Sequence, residues 1–382
     1  MNEVKSRAYL SVLALFFVMG FCDVVGIATS YLQKDFSLSE SLAGFIPSMV
    51  FVWFLVLSVP SSLLMNKIGR KGMVLLSCVV TAVGMVIPFI YYSFATSIVG
   101  FALLGIGNTM LQVSLNPLLS NVVSGEKLSS CLTAGQAVKA VSSFCAPLLA
   151  LFAVQVLGGW KFLFLIYAAA TVLSFLLLFA TRIPREPSPT SAPSAGELFS
   201  LLKDPLVLLL FLGIFFVVGV DVGTNTVSAK LLMERCGMAV EEASLGASVY
   251  FFCRTAGSFL GAWLLTKVSD TKYLRWNLLL AILAMASLFF TNTPLLLLVG
   301  IGGIGLFCAC VFSILFSVAL RARPAKANEI SGFMITAVFG GAVIPPLMGA
   351  ATDFAGSQMG SLAVISLCLV YLVYCSFRIQ KI

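Results

Sequence analysis

Residues 105–120 read GIGNTMLQVSLNPLLS, an apolar run with three amides set into it. Asn108, Gln112 and Asn116 recur every four residues, so on an α-helix they form one polar stripe that drifts by about 40° per step. The flanks, 101–104 and 113–119, are as apolar as lipid apart from those amides. A helix in a bilayer meets no water at that depth, so such amides face other helices or a wet cavity. One reading makes them interhelical glue, because Asn and Gln bond across membrane helices. The other makes them the wall of a cavity for a polar solute. Polar positions at similar spacing elsewhere in the chain favour the second.

Composition sets the class around that stretch. Hydrophobic residues make up 60% of the 382 and charged residues 10%, with a mean hydropathy of +1.07. No water-soluble domain carries so little surface charge. Apolar runs long enough to span a bilayer follow one another at 8–32, 42–65, 72–92, 96–120, 131–157, 160–181, 205–232, 241–266, 273–292, 295–320, 328–352 and 359–379. Twelve such runs predict an all-α membrane protein. The first run is too long for a cleaved signal core and no small-residue cleavage site follows it, so it reads as a spanning helix.

The net charge of +8 could suggest nucleic acid, but its distribution argues for a membrane. Seventeen of the 23 basic residues, among them Lys5, Lys67, Arg70, Lys71, Lys127, Arg182, Lys267, Arg321 and Arg378, fall on one side of the twelve runs. Lys34, Lys161, Lys230 and Arg235 fall on the other. The positive-inside rule then places both termini in the cytoplasm, where a basic surface faces anionic lipid. The ten cysteines sit mostly inside spans and match no metal frame, so they read as small apolar residues. There is no histidine, which removes the usual zinc ligand and a Ser–His–Asp triad. The expectation is no enzyme, no cofactor and no metal.

Charges inside the spans are the next signal. Asp23 lies near the middle of the first run, where a carboxylate costs about 2.5–3.5 kcal/mol on insertion scales and is functional by default. In the fifth run Gln136, Lys139 and Ser143 share a face at i, i+3, i+7. Lys139 is deep for snorkelling, although its long stem gives it a route to the interface. In the seventh, Asp221, Thr224, Asn225 and Ser228 fall at i, i+3, i+4, i+7. In the eighth, Tyr250, Arg254, Gly257 and Ser258 share a face, and Arg254 at mid-span needs a carboxylate or a cluster of carbonyls. Asp23 and Asp221 read as the only acids deep in the spans, and Lys139 and Arg254 as the only deep bases. Two against two lowers the cost of holding them in a low-dielectric cavity.

The chain also repeats itself. FFVMGFCDVVG at 16–26 returns as FFVVGVDVG at 215–223, which pairs Asp23 with Asp221. The run from Ser62 to Lys71 aligns with that from Trp263 to Lys272, Gly105-Ile106-Gly107 with Gly303-Ile304-Gly305, and Ala146-Pro147 with Pro345-Pro346. The offsets cluster near 200, half the chain length. This predicts a duplicated six-helix unit: residues 1–181, a polar linker at 182–204 rich in Pro and Ser, and residues 205–382. At the glycine offset, Cys310 and Ile314 stand where the first half has Gln112 and Asn116, so polar readout is richer in span four.

Between the second and third runs, SSLLMNKIGRKG resembles the Gly-x-x-x-Asp-Arg-x-Gly-Arg-Arg loop of the major facilitator superfamily, with Asn66-Lys67 at its Asp-Arg positions and Gly69-Arg70-Lys71 at its tail. The span-four motif, the Gly-Val-Asp-Val-Gly of span seven, the Arg-x-x-Gly of span eight and GGAVIPPLMGAATDFAG at 340–356 resemble the fucose permease branch of that superfamily over nearly the whole chain. The resemblance implies a sugar–proton symporter of a bacterial inner membrane, with parallel halves and a substrate site at the midplane. It also implies two acids and a sugar-binding Asn at positions that here are Gly26, Gln112 and Lys139. The proton path of that branch therefore does not transfer.

The sequence thus predicts a major facilitator fold that moves a monosaccharide or derivative, acidic sugars included, by alternating access. Asn108, Gln112, Asn116, Gln136, Lys139, Asn225 and Arg254 are its expected substrate contacts. Asp23 and Asp221 are the expected sites for coupled H+ or Na+. The expected partners are the sugar, the ion and the bilayer, with no nucleic acid, and the protein is expected to be a monomer. Two other classes stay open on the same fold: an exporter of lipophilic compounds, which would want a greasier cavity, and a non-transporting sensor.

Overall fold

The computed structural model describes residues 3–37, 40–123, 127–184, 203–238, 243 and 245–379. Most of the 182–204 linker lies outside the described residues. Among these residues the chain is helical, with no strand. The helices are α1 (Glu3–Met19), α2 (Val24–Asp35), α3 (Glu40–Ile68), α4 (Arg70–Ile90), α5 (Phe94–Val122), α6 (Lys127–Leu157), α7 (Phe162–Ala180), α8 (Pro205–Cys236), α9 (Leu245–Leu264), α10 (Asp270–Phe290), α11 (Pro294–Cys308), α12 (Val311–Ala322), α13 (Ala327–Thr336), α14 (Gly340–Ala355) and α15 (Met359–Arg378).

Each of the twelve apolar runs falls on helix among the described residues. Among the described residues nine helical segments are long and apolar enough to cross a membrane. The remaining three runs are the first, the fifth and the eighth, which carry Asp23, Lys139 and Arg254. The first is interrupted by a 3-10 turn at Gly20–Asp23. The tenth and eleventh are also broken, at Ala309-Cys310 and at Ala337–Phe339. The outer faces carry exposed Leu173, Leu176, Phe179, Leu283, Phe290 and Leu367, while buried Ser, Thr and Asn side chains line the inside. This inversion of the water-soluble pattern fits a lipid solvent, in which polar groups must find partners within the protein.

The helices form two compact units. One comprises Met1–Ser124, Val138–Leu198 and Pro324–Thr336; the other comprises Gly125–Ala137, Phe199–Arg323 and Ala337–Ile382. In the first unit α5 is central, packing on α1, α3, α4 and α13, and α4 packs on α7. In the second, α8 packs on α9, α12, α14 and α15, and α11 on α9 and α10. Ser93 caps α5 through a reciprocal box with Thr96, and Pro205 opens α8 behind its N-cap Asp204. Asp35, just after the first run, accepts from Tyr92 Oη at 2.6 Å and Trp160 Nε1 at 2.7 Å. Burial first and then the Asp35 carboxylate push the Tyr92 phenol well above its usual pKa, so it stays a donor.

The repeat is clearer in helix positions than in letters. Arg70–Ile90 and Asp270–Phe290 begin and end 200 residues apart; Phe94 and Pro294 begin α5 and α11, and Lys127 and Ala327 begin α6 and α13, at the same offset. Close approach follows it. A Cβ on Gly105 would lie 2.4 Å from Val50 O on α3, and one on Gly305 would lie 2.7 Å from Tyr250 O on α9. The mates of Asn108, Gln112 and Asn116 are therefore Cys308, Phe312 and Phe316, not the residues two places earlier in register. The polar asymmetry of the halves stands.

The turn that resembles the superfamily loop is built around Gly69 at φ +81, a backbone conformation that suits glycine. Arg70 behind it is buried, although its basic loop suggests a surface charge. Its Nε donates to Asn328 Oδ1 at 2.8 Å and its Nη1 to Pro117 O at 3.1 Å and to Asn121 Oδ1. Asn66 Nδ2 donates to Glu329 Oε1 at 2.7 Å, and Glu329 is buried too. Glu329, at the edge of run eleven, is thus a buried acid besides the two placed deep in the spans. In the second unit the mates of Arg70 and Asn121 are Asp270 and Arg321, which form an ion pair. The cation–amide contact of one half has become an ion pair of reversed sense in the other.

Candidate functional site

In the first unit the amide stripe of α5 is a ladder. Asn108 Nδ2 donates to Met19 O at 2.9 Å, Gln112 Nε2 to Asn108 Oδ1 at 2.8 Å, and Asn116 Nδ2 to Gln112 O at 3.0 Å. The three side chains are 1%, 5% and 1% exposed. The spacing of four puts each amide one turn above the last, which is what lets them bond in series. Met19 O lies where α1 ends and the 3-10 turn begins, and Cys22 Sγ also approaches it at 3.4 Å. Asn116 Oδ1, at the lower end of the ladder, is buried without a partner among the described residues. An unpaired buried acceptor is costly, about 1–3 kcal/mol, and a hydroxyl donor would satisfy it.

The same turn presents Asp23, an exposed residue. Ser143 Oγ donates to Asp23 Oδ2, and Cys22 Sγ approaches Oδ1 at 3.4 Å. Ser143 also bonds Lys139 O at 3.1 Å, one turn back along α6. Gly20 makes the contact possible: a Cβ there would sit 2.7 Å from Lys139 O. Lys139 is half-buried. Among the described residues no carboxylate lies within 4 Å of its ammonium.

In the second unit Arg254 has found the carboxylate its depth demands: Nη2 lies 2.8 Å from Asp221 Oδ2. Tyr250 Oη donates to the other carboxylate oxygen. Thr224 and Ser228 on the same stretch of α8 are buried, and Ser228 Oγ donates to Asn225 O at 2.7 Å. Asn225 and Gln136 are half-buried. Asp221 therefore faces α9, whereas Asp23 faces α6. The two acids are not equivalent, although the letters pair them. The first-half motif is two residues longer and contains the 3-10 turn that ends at Asp23, whereas α8 is one helix through Asp221.

Sequence reasoning finds Asn108, Gln112, Asn116, Asp23, Lys139, Asp221 and Arg254 on polar faces, and the structure joins them into a ladder, a half-open charge cluster and a closed ion pair. What it misses is the role of Tyr250 as a donor to Asp221. The shared i, i+4 face of Tyr250 and Arg254 is the signal that points there.

A model of the Major Facilitator Superfamily matches residues 11–346. The chain belongs to this superfamily. It is 26% identical to a glucose/galactose transporter of Brucella abortus over 96% of this chain and 92% of that one. It is 21% identical to the L-fucose-proton symporter of Escherichia coli over 98% and 95%. Among solved structures, that of the facilitator FucP in an outward conformation matches with a TM-score of 0.86 at 18% identity, covering all of both chains. The proton:xylose symporter XylE matches at 0.76 and 15% identity, over 99% of this chain and 96% of the other. These likenesses establish a multi-pass membrane protein with the facilitator fold.

Proposed function

We propose that the chain is a secondary transporter that moves a monosaccharide or sugar derivative across a bacterial inner membrane by alternating access. The observation that carries this reading is the buried ladder of Asn108, Gln112 and Asn116, with its unpartnered Asn116 acceptor, beside an exposed Asp23 and a half-buried Lys139, in a protein whose outer faces are leucine and phenylalanine. Hydroxyl groups are the ligands such amides recognise, and a site built to bond them rejects analogues that lack them. The names of the relatives support a sugar. Asn108, Gln112, Asn116, Gln136, Lys139, Asn225 and Arg254 are the proposed substrate contacts, and Asp23 or Asp221 takes the coupled H+ or Na+. The protein works as a monomer of two six-helix halves, 1–181 and 205–382. Purified protein in liposomes should accumulate labelled sugar when a proton or sodium gradient is imposed and lose it when the gradient is collapsed. No accumulation of any sugar in a broad panel under either gradient would defeat the reading.

The basic loops support cytoplasmic termini and a cytoplasmic 182–204 linker. A single cysteine placed at Ser191, in a background without reactive thiols, should resist an impermeant maleimide added to intact cells and react once the membrane is opened. Ready labelling from outside would invert the orientation.

A further inference from the structure

The two deep charge clusters are in different states. Arg254 is already neutralised by Asp221 at 2.8 Å, and Tyr250 holds the other carboxylate oxygen, so that cluster has little net charge to offer a ligand. In the first unit Lys139 has no carboxylate within 4 Å among the described residues, yet its side chain is half-buried in a membrane helix. Asp23 is close by without an ion pair to it: Ser143 Oγ lies within hydrogen-bond reach of both the Asp23 carboxylate and the Lys139 carbonyl. A cation held in low dielectric without a partner is costly, and an anion that arrives there gains what the protein leaves unmade.

We propose that the substrate is an anionic monosaccharide whose carboxylate is taken by Lys139, and that one proton enters with it on Asp23. The inference rests on the sugar-transport reading. While Asp23 is ionised it competes with a substrate carboxylate for the field of the same ammonium, so the anion binds best once Asp23 is protonated. One proton moves from water onto an Asp23 carboxylate oxygen on the entry side and returns to water on the exit side. Only that O–H bond forms and breaks. The groups that bear on Asp23 from the elements packed around it are few. Ser143 on α6 donates to its carboxylate, with Lys139 one turn back on that helix, Cys22 on its own turn approaches Oδ1 at 3.4 Å, and α7 brings Tyr167 against Phe21 of the same turn; α5 contributes the uncharged Asn108 and Gln112. One carboxylate takes up one proton, and the substrate anion, by engaging the Lys139 ammonium, removes the cation that opposes it. One proton with one sugar anion is an electroneutral step.

The test compares D-glucuronate and D-galacturonate with D-glucose and D-galactose in proteoliposomes of the full-length protein. Uronate uptake should follow an inward proton gradient and stay unchanged when a potassium diffusion potential of either sign is imposed; a neutral hexose carried with a proton would respond to both. Lys139→Gln should lower uronate uptake at least tenfold and Lys139→Arg should restore part of it. Asp23→Asn should abolish accumulation driven by the proton gradient while keeping exchange of labelled for unlabelled uronate. Robust hexose uptake that responds to the membrane potential and is indifferent to Lys139→Gln would overturn the inference and leave the sugar-transport reading standing. Failure of all four sugars, in protein that melts and elutes as a folded species, would remove both.

Discussion

Replacing Arg254 with leucine is expected to lower uptake at least tenfold and to destabilise the protein measurably. The guanidinium is the charged partner of Asp221, at 2.8 Å, and Tyr250 Oη donates to the other oxygen of that carboxylate. Leucine fills much of the volume but leaves the acid without its cation. Orphaning a fully buried charge costs about 3–5 kcal/mol. Here 31% of the Arg254 side chain and 28% of the Asp221 side chain stay accessible, so water screens part of the loss and about 2 kcal/mol is the expected figure. The measurement is a thermal melt in detergent beside uptake in liposomes. Asp221→Asn together with Arg254→Leu should recover most of the melting temperature, because it removes the orphan. Tyr250→Phe should cost less than either single charge change. A wild-type melt for Arg254→Leu would mean that the pair contributes nothing to stability. If the double variant is worse than both singles, the pairing is the wrong account of why a charge sits at that depth.

The contrast between the two acids shows where letters stop being enough. The apolar runs fall on the helices, and among the described residues nine of them coincide with segments long and apolar enough to cross a membrane, because length against bilayer thickness leaves little freedom. The four-residue spacing of Asn108, Gln112 and Asn116 is enough to place them on one stripe. Spacing along one helix says nothing about which neighbour a side chain meets. Asp23 and Asp221 lie in matching phrases, FFVMGFCD and FFVVGVD, and look interchangeable. A four-residue 3-10 turn at Gly20–Asp23 interrupts the first run, whereas α8 is continuous through Asp221, and Asp23 meets Ser143 where Asp221 meets Arg254 and Tyr250. Arg70 and Glu329 illustrate the same limit. Each sits at a helix end among other charges, where a solvated surface is the default expectation, and each is buried by partners hundreds of residues away in sequence. Long-range pairing of that kind becomes visible only in coordinates.

Gln112→Leu separates the two readings of the stripe. Gln112 is the middle of the ladder: its Nε2 bonds Asn108 Oδ1, and its own carbonyl receives Asn116 Nδ2. Leucine keeps the backbone acceptor and the approximate volume but deprives Asn108 Oδ1 of its donor, so a structural loss of about 1–3 kcal/mol is expected whichever reading holds. The discriminating quantity is transport by the protein that remains folded. If the ladder recognises substrate hydroxyls, Gln112→Leu should abolish uptake and the substrate-induced rise in melting temperature together, well beyond the fall explained by lost folded protein. If folded Gln112→Leu protein transports with its apparent KM unchanged, the amides hold helix α5 to the turn at Met19 and to each other, and recognition of the sugar belongs to the charged residues alone.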